Sequence, residues 1–108
     1  MHTKGAKHMN LCKFLNTLYL TKNKKYGDSF GLSVRKYGPI AALTRLSDKW
    51  NRIENLMLHN DNGTVDESLR DTLIDMANYC LMTIIELEDM QHNDTDRISE
   101  PCTPHSQS

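Results

Sequence analysis

The chain has 108 residues, a formal net charge of −1 and a sequence pI near 6.5. This length suits one domain with a modest core, and the balanced charge argues against generic binding to a nucleic-acid backbone, so no direct DNA binding is predicted. No apolar run approaches the roughly 18 residues of a membrane span and the three cysteines show no regular spacing, so we expect a cytoplasmic protein without a membrane partner.

The first predicted element is a short helix over residues 9–22. Its apolar residues recur at three- and four-residue spacing, as they do on one face of a helix. They are Leu11, Phe14, Leu15, Leu18 and Tyr19. Residues 1–8 lack this periodicity, and we expect a flexible end there.

Residues 22–31 are the most basic and most irregular part of the chain. They contain three lysines and two glycines, and Asp28 or Ser29 is placed to cap a short helix that ends at Tyr37. Lysine charge and glycine-exposed amides both favour an anion, which makes the segment a candidate phosphate-binding loop. An ordinary connector between two helices is the alternative interpretation.

Two long helices follow. One runs over residues 39–59 with Pro39 at its first position, and the other over residues 64–90 after a capping box of Thr64 and Glu67. The polar turn at residues 60–63 predicts an antiparallel pair whose apolar seams face each other. The seams are Leu43, Leu46, Trp50, Ile53 and Met57, then Leu69, Leu73, Met76, Cys80, Leu81, Ile84 and Leu87.

No segment has the alternation of a strand, so the predicted fold class is all-α. We expect a small helical bundle built on the antiparallel pair of long helices plus the shorter N-terminal helix. Residues 92–108 are polar with two prolines, which is typical of disorder. The predicted domain is therefore residues 9–91, with flexible tails at 1–8 and 92–108.

Each long helix also carries a polar stripe. Asp48 and Asn51 on the first, and Asp75 and Asn78 on the second, stand three residues apart and so share a face. Oxygen ligands in this arrangement suit Mg²⁺, which one or two carboxylates commonly bridge to phosphates. The alternative is a solvated stripe of ion pairs within each helix, worth about 0.2–0.5 kcal/mol per pair.

The stripe of the last helix continues into apolar residues. Met82 and Ile85 follow Asp75 and Asn78 on that face, with Ile74 beside them, and a water-facing surface would not favour them. We therefore expect the first helix or a symmetric partner to cover the stripe, and a homodimer or homotetramer to form.

Three blocks of sequence resemble a known family. Residues 24–30 (KKYGDSF), 45–53 (RLSDKWNRI) and 66–79 (DESLRDTLIDMANY) resemble the nucleotide-modification-associated domain 1 family of phages and bacteria. The arrangement is also distantly similar to the MazG-like all-α nucleoside-triphosphate pyrophosphohydrolases, which bind Mg²⁺ through ExxE and ExxD pairs. Amides stand here in place of two of those four carboxylates.

The resemblance implies a Mg²⁺-dependent pyrophosphohydrolase acting on a canonical or modified nucleoside triphosphate, located in the host cytoplasm if it is phage-encoded. Its implied catalytic residues are Asp48, Asp71 and Asp75, which with Glu67 would hold the metal. The implied nucleotide- and phosphate-binding residues are Lys24, Lys25, Tyr26, Arg45, Lys49, Asn51, Arg52 and Asn78. Two alternatives stay open: a protein that binds a nucleotide or signalling dinucleotide without cleaving it, and a structural accessory to a DNA-modification enzyme.

Overall fold

A computed structural model describes residues 3–59 and 66–98, with side chains as far as His92. All regular structure in these two ranges is helical, which confirms the predicted fold class. The elements are α1 (Lys4–Tyr26), α2 (Ser29–Tyr37), α3 (Pro39–Leu58) and α4 (Glu67–Ile98). Helices α3 and α4 form the most extensive packing, α2 lies against both, and α1 contacts α4.

Helix α1 is longer at both ends than predicted. It begins at Lys4 because the Thr3 hydroxyl caps it, accepting from the Ala6 amide at 3.0 Å. It ends at Tyr26, so the basic segment that was predicted to be irregular is helical over most of its length. The predicted cap of α2 is confirmed, since the Asp28 carboxylate accepts from the Gly31 amide at 3.3 Å.

Helix α4 also differs from its predicted bounds. It begins at Glu67, and the Asp66 carboxylate accepts from the Leu69 amide at 2.9 Å, as an N-cap does. Thr64 of the predicted capping box and the turn at residues 60–63 lie outside the described residues. The helix continues to Ile98, so residues 92–98, predicted to be disordered, are helical.

The links between α1, α2 and α3 turn sharply at two glycines. Gly27 has φ 73° and ψ −164°, and Gly38 has φ 85° and ψ −173°. This region of backbone space is essentially restricted to glycine. A single glycine at each link therefore turns the backbone so that the next helix begins within two residues.

Replacing Gly38 with alanine should lower the free energy of unfolding by about 1–3 kcal/mol, because the new Cβ forces this backbone conformation into strain. Nothing lies within 4 Å of the added Cβ, so the cost is a backbone cost and not a clash. Urea denaturation measures it. Gly5→Ala is the control: Gly5 is helical, with its nearest neighbour at 3.8 Å, and alanine should not destabilise it. Equal losses in both variants would contradict the argument.

The core within one chain is small. Its buried apolar residues are Val34, Ala42, Ile53, Leu69 and Ile74. They come from α2, α3 and α4, whereas α1 has no buried residue. No described helix combines the length and apolar character needed to cross a bilayer.

The predicted inward direction of the apolar seams is wrong for most of their residues. On α4, Leu69 is buried but Leu73, Leu81, Ile84 and Leu87 are between 41% and 52% exposed, and Cys80 is exposed. On α3, Ile53 is buried while Leu43, Trp50 and Met57 are exposed.

The covered face of α4 instead carries the polar stripe. Asp75 and Asn78 are half-buried beside Tyr79 and Met82, and Glu86 is buried. Apolar periodicity misassigns this face because lysine and arginine partners from other helices neutralise its carboxylates, which allows an acidic stripe to be covered. The prediction that α1 or a partner covers the stripe is confirmed for α1, which contacts both Asp75 and Asn78.

Candidate functional site

A cleft of about 180 Å³ lies between the second half of α1, the α1–α2 link and the middle of α4. The helices enclose it because α1 packs against the polar stripe of α4 and then turns at Gly27 into α2. Its lining combines aromatic rings with amide, lysine and carboxylate groups. The lining residues are Tyr19, Lys22, Asn23, Tyr26, Gly27, Asp28, Ser29, Phe30, Asp75, Asn78, Tyr79 and Met82.

Two lysines from different helices converge on Asp75 at this cleft. Lys22 of α1 donates to Oδ1 and Lys49 of α3 donates to Oδ2, both at 3.3 Å. The Asp75 and Lys49 side chains are each 28% exposed, and that of Lys22 is 54% exposed. Two ammonium groups and one carboxylate leave this cluster with an excess of one positive charge, which favours an anion.

An aromatic wall stands beside the lysine pair. The rings of Phe30 and Tyr79 lie 5.4 Å apart between centroids at 58°, and the Lys49 ammonium lies 5.8 Å from the Tyr79 centroid. Tyr79 follows Asp75 by one helical turn, which places ring and carboxylate on the same side of α4. Aromatic faces next to cations offer a surface on which a flat ring system can stack.

Asn78 links α4 to α1 through a hydrogen bond. Its side-chain amide donates to the Leu15 carbonyl at 3.2 Å, and this bond holds the two helices together at the cleft. The Arg70 guanidinium of α4 also contacts α1 and lies 5.6 Å from the ring centroid of Phe14. These polar and cationic contacts position α1 together with its partly buried Leu15, Leu18 and Tyr19.

A second charged cluster lies further along α4. Arg35 of α2 donates to Asp28 Oδ2 and to Glu86 Oε1, both at 3.1 Å. Burial raises the pKa of Glu86, and Asp28 and Asp89 add to the rise, while Arg35 opposes it. Glu86 follows Asp75 by eleven residues, or about 16 Å along a helix. The cleft thus has a lysine-rich part at Asp75 and a more acidic part towards Asp28.

The structure brings together some of the residues implied by the resemblance. Asp75, Asn78 and Tyr26 line the cleft, and Lys49 bonds to Asp75 beside it. Arg52 of α3 donates to the Thr72 hydroxyl at 3.2 Å, which strengthens the α3–α4 contact.

The other implied residues lie away from this cluster. The Lys25 ammonium stands 5.4 Å from the ring centroid of its neighbour Tyr26 and does not line the cleft. Six more are exposed and their side chains bond to no other described residue, so the alternative of ion pairs between Asp48 and Arg45 or Arg52 is not observed. These six are Lys24, Arg45, Asp48, Asn51, Glu67 and Asp71.

The carboxylates implied as metal ligands form no assembled Mg²⁺ site in the described part of one chain. Among residues 3–59 and 66–92, no group of three or more His, Cys, Asp or Glu side chains is placed to hold a metal ion. Both oxygens of Asp75 already accept from ammonium groups, which occupy the positions that a cation would take. Binding of Mg²⁺ by Asp48, Asp71, Asp75 and Glu67 stays a prediction.

Four aromatic or lysine residues that line the cleft were not among the residues implied by the resemblance: Tyr19, Lys22, Phe30 and Tyr79. Lys22 and Phe30 do lie in residues 22–31, the segment predicted as a candidate phosphate-binding loop. A signal for two of them was present, because Lys22 follows Tyr19 by three residues and thus continues the apolar face of α1. Tyr79 likewise follows Asp75 by four. The contact of Phe30 with Tyr79 was not predictable from helical spacing, since it depends on the turn at Gly27.

A family model described as nucleotide modification associated domain 1 matches residues 22–87, more than half of the chain. The matched region begins at Lys22 and includes Phe30, Lys49, Asp75 and Tyr79. No curated protein and no solved structure matches the chain. The distant similarity to MazG-like pyrophosphohydrolases is not shown by these comparisons.

Proposed function

Since the chain belongs to the nucleotide modification associated domain 1 family, we propose that it binds a nucleotide in the cleft between α1 and α4. One observation carries this proposal: Lys22 and Lys49 converge from two helices beside an aromatic wall. The wall offers a surface for the base, and the lysine pair offers positive charge for the phosphates. A nucleotide joins these two requirements in one ligand.

The cleft is large enough to enclose only one part of a nucleotide. Its 180 Å³ falls below the roughly 300–1,000 Å³ of sites that enclose a whole drug-sized ligand. One ring system therefore enters, and the phosphate groups remain at the mouth near Lys22. Stacking of a base on an aromatic side chain contributes about 1–3 kcal/mol.

In this proposal Asp75 positions the Lys22 and Lys49 ammonium groups before the ligand binds. Its carboxylate fixes both ammonium groups at 3.3 Å and offsets the repulsion between them. An arriving phosphate presents more acceptor oxygens and more negative charge than one carboxylate, so it competes for the same donors. The lysines then need little rearrangement to bind it.

Titration calorimetry with a panel of nucleosides and their mono-, di- and triphosphates, canonical and base-modified, tests the proposal. We expect saturable binding in EDTA, stronger for nucleotides than for the matching nucleosides, and weaker as salt increases. Inorganic phosphate should compete. If no nucleotide binds, or if nucleosides bind as well as their triphosphates, the proposal is wrong.

A second candidate function is Mg²⁺-dependent hydrolysis of a nucleoside triphosphate to its monophosphate and pyrophosphate. The exposed carboxylates of Asp48 and Asp71, which pair with no described residue, favour it. Pyrophosphate release in the presence of Mg²⁺ tests it, and Asp71→Asn should abolish the release while the control Asp89→Asn on the same helix should not. Absence of release with every nucleotide would leave binding without hydrolysis.

We also propose that the protein acts in the cytoplasm, where free nucleotides are found. We further propose that it forms a homo-oligomer. The support for an oligomer is the small core of five buried apolar residues in the described part of a chain of 108 residues.

A further inference from the structure

We propose that one exposed face of the α3–α4 pair is the surface on which a second copy of this chain packs. The proposal rests on the homo-oligomer above and identifies its interface. The face, here termed the α3–α4 apolar face, consists of Leu43, Trp50 and Met57 of α3 with Leu73, Ile84 and Leu87 of α4.

Helix geometry puts these six residues on one side of the α3–α4 contact. The pairs Lys49–Asp75 and Arg52–Thr72 mark the opposite side. At about 100° per residue, Lys49 lies about 40° to one side of the buried Ile53 and Trp50 about 60° to the other. Leu43 and Met57 stand seven residues either side of Trp50 and share its direction.

The same reasoning applies to α4. Asp75 is rotated about 120° from the buried Leu69 in one direction, and Leu73 about 40° in the other. Ile84 and Leu87 lie close to the direction of Leu73. In an antiparallel pair the two stripes therefore adjoin and form one surface two helices wide.

The exposed area is sufficient for an interface. Each of the six side chains is between 41% and 58% exposed. Together they present several hundred Å² of apolar surface, close to the roughly 800 Å² that each partner buries in a standard interface. Single exposed apolar residues are ordinary, but a continuous patch of this size marks an interaction surface.

The two longest stretches outside the described ranges carry little apolar sequence with which to cover this face. Residues 60–65 (NDNGTV) contain one large apolar residue, and residues 99–108 (SEPCTPHSQS) contain none. A second copy brings an identical apolar stripe, and a net charge of −1 per chain gives little repulsion between copies. Two-fold packing of one face on itself is also the commonest geometry of homodimers.

This assembly leaves the cleft open. The cleft lies among α1, α2 and the Asp75 side of α4, and the α3–α4 apolar face lies on the other side of the α3–α4 contact. The dimer would thus be a layer of four long helices with one cleft on each outer surface.

The chain contains one tryptophan, Trp50, and it lies in the proposed interface. Sedimentation equilibrium combined with acrylamide quenching of Trp50 across a dilution series should show a dimer whose Trp50 is protected, and a monomer whose Trp50 is quenched. Ile84→Glu places a charge in the interface and should raise the dissociation constant by roughly 100-fold or more.

Ile85→Glu is the matched control. Ile84 and Ile85 are 52% and 50% exposed, but one residue turns Ile85 away from the α3–α4 apolar face. We expect this variant to stay dimeric, and circular dichroism should show the helical content of both variants unchanged. A wild-type protein that is monomeric at every concentration would overturn both the oligomer and this interface. An oligomer that tolerates Ile84→Glu would overturn the interface alone, and neither result would affect nucleotide binding at the cleft.

Discussion

Replacing Lys22 and Lys49 together with glutamine should weaken nucleotide binding by about 100-fold. Each lysine offers a charge-assisted hydrogen bond worth about 1.5–3 kcal/mol when protected from water. Lys22 is 54% exposed, so solvent screening reduces its share, and about 1.4 kcal/mol per lysine corresponds to a tenfold loss for each. Titration calorimetry of the double variant against the wild-type protein measures the change.

One further variant shows whether the loss of affinity belongs to the cleft. Lys24→Gln removes the same charge from the same helix at an exposed residue that bonds to no described neighbour, and it should change affinity by less than about twofold. A loss as large as that of the double variant would indicate non-specific attraction.

Asp75→Asn distinguishes the two candidate functions. If Asp75 only holds the lysines until a phosphate arrives, removing its charge should preserve or tighten nucleotide binding. If Asp75 holds a catalytic metal, the same variant should lose pyrophosphate release. The binding assay and the pyrophosphate assay thus test the two hypotheses separately with one isosteric substitution.

Replacing Ile53 with alanine should lower the free energy of unfolding by about 2–5 kcal/mol. Ile53 is 4% exposed and is one of five buried apolar residues in the described ranges, so the cavity has few neighbours that can close it. Because small proteins are stable by only about 5–15 kcal/mol, this single change removes a large fraction of the total. Urea denaturation followed by circular dichroism measures it.

Ile40→Ala provides the comparison within α3. Ile40 is the same residue type, is 59% exposed and lies outside the α3–α4 apolar face, so its truncation should cost less than about 0.5 kcal/mol. If the two variants lose equal stability, the assignment of Ile53 to the core is wrong.

The helices themselves were predictable from the sequence, because their signals are local. Pro39 at the start of α3 acts through its fixed φ, and Asp28 before α2 acts through a side-chain bond to the Gly31 amide, so both signals depend only on neighbouring residues. The termini of α1 and α4 were less predictable. Thr3 extends α1 by a single hydroxyl cap, and the polar end of α4 remains helical without an apolar pattern.

Which face of each helix is covered was not predictable, because the answer depends on residues that are distant in sequence. Asp75 is separated by 53 residues from Lys22 and by 26 from Lys49. Only those partners make a half-buried carboxylate acceptable, and apolar periodicity alone assigns the seam through Leu73 and Ile84 to the core. An apolar pattern indicates that a helix face is buried, but not whether the same chain or a second copy covers that face.

Helix α1 is docked on the rest of the protein without a buried side chain of its own. It is held by Asn78 at the Leu15 carbonyl and by Lys22 at Asp75, and both bonds can be exchanged for bonds to water at little cost. Segments with few buried apolar contacts open at free energies well below that of global unfolding. We therefore expect α1 to separate from α4 at a lower free energy than global unfolding requires, and a ligand that bridges Lys22 and Lys49 should hold α1 in place.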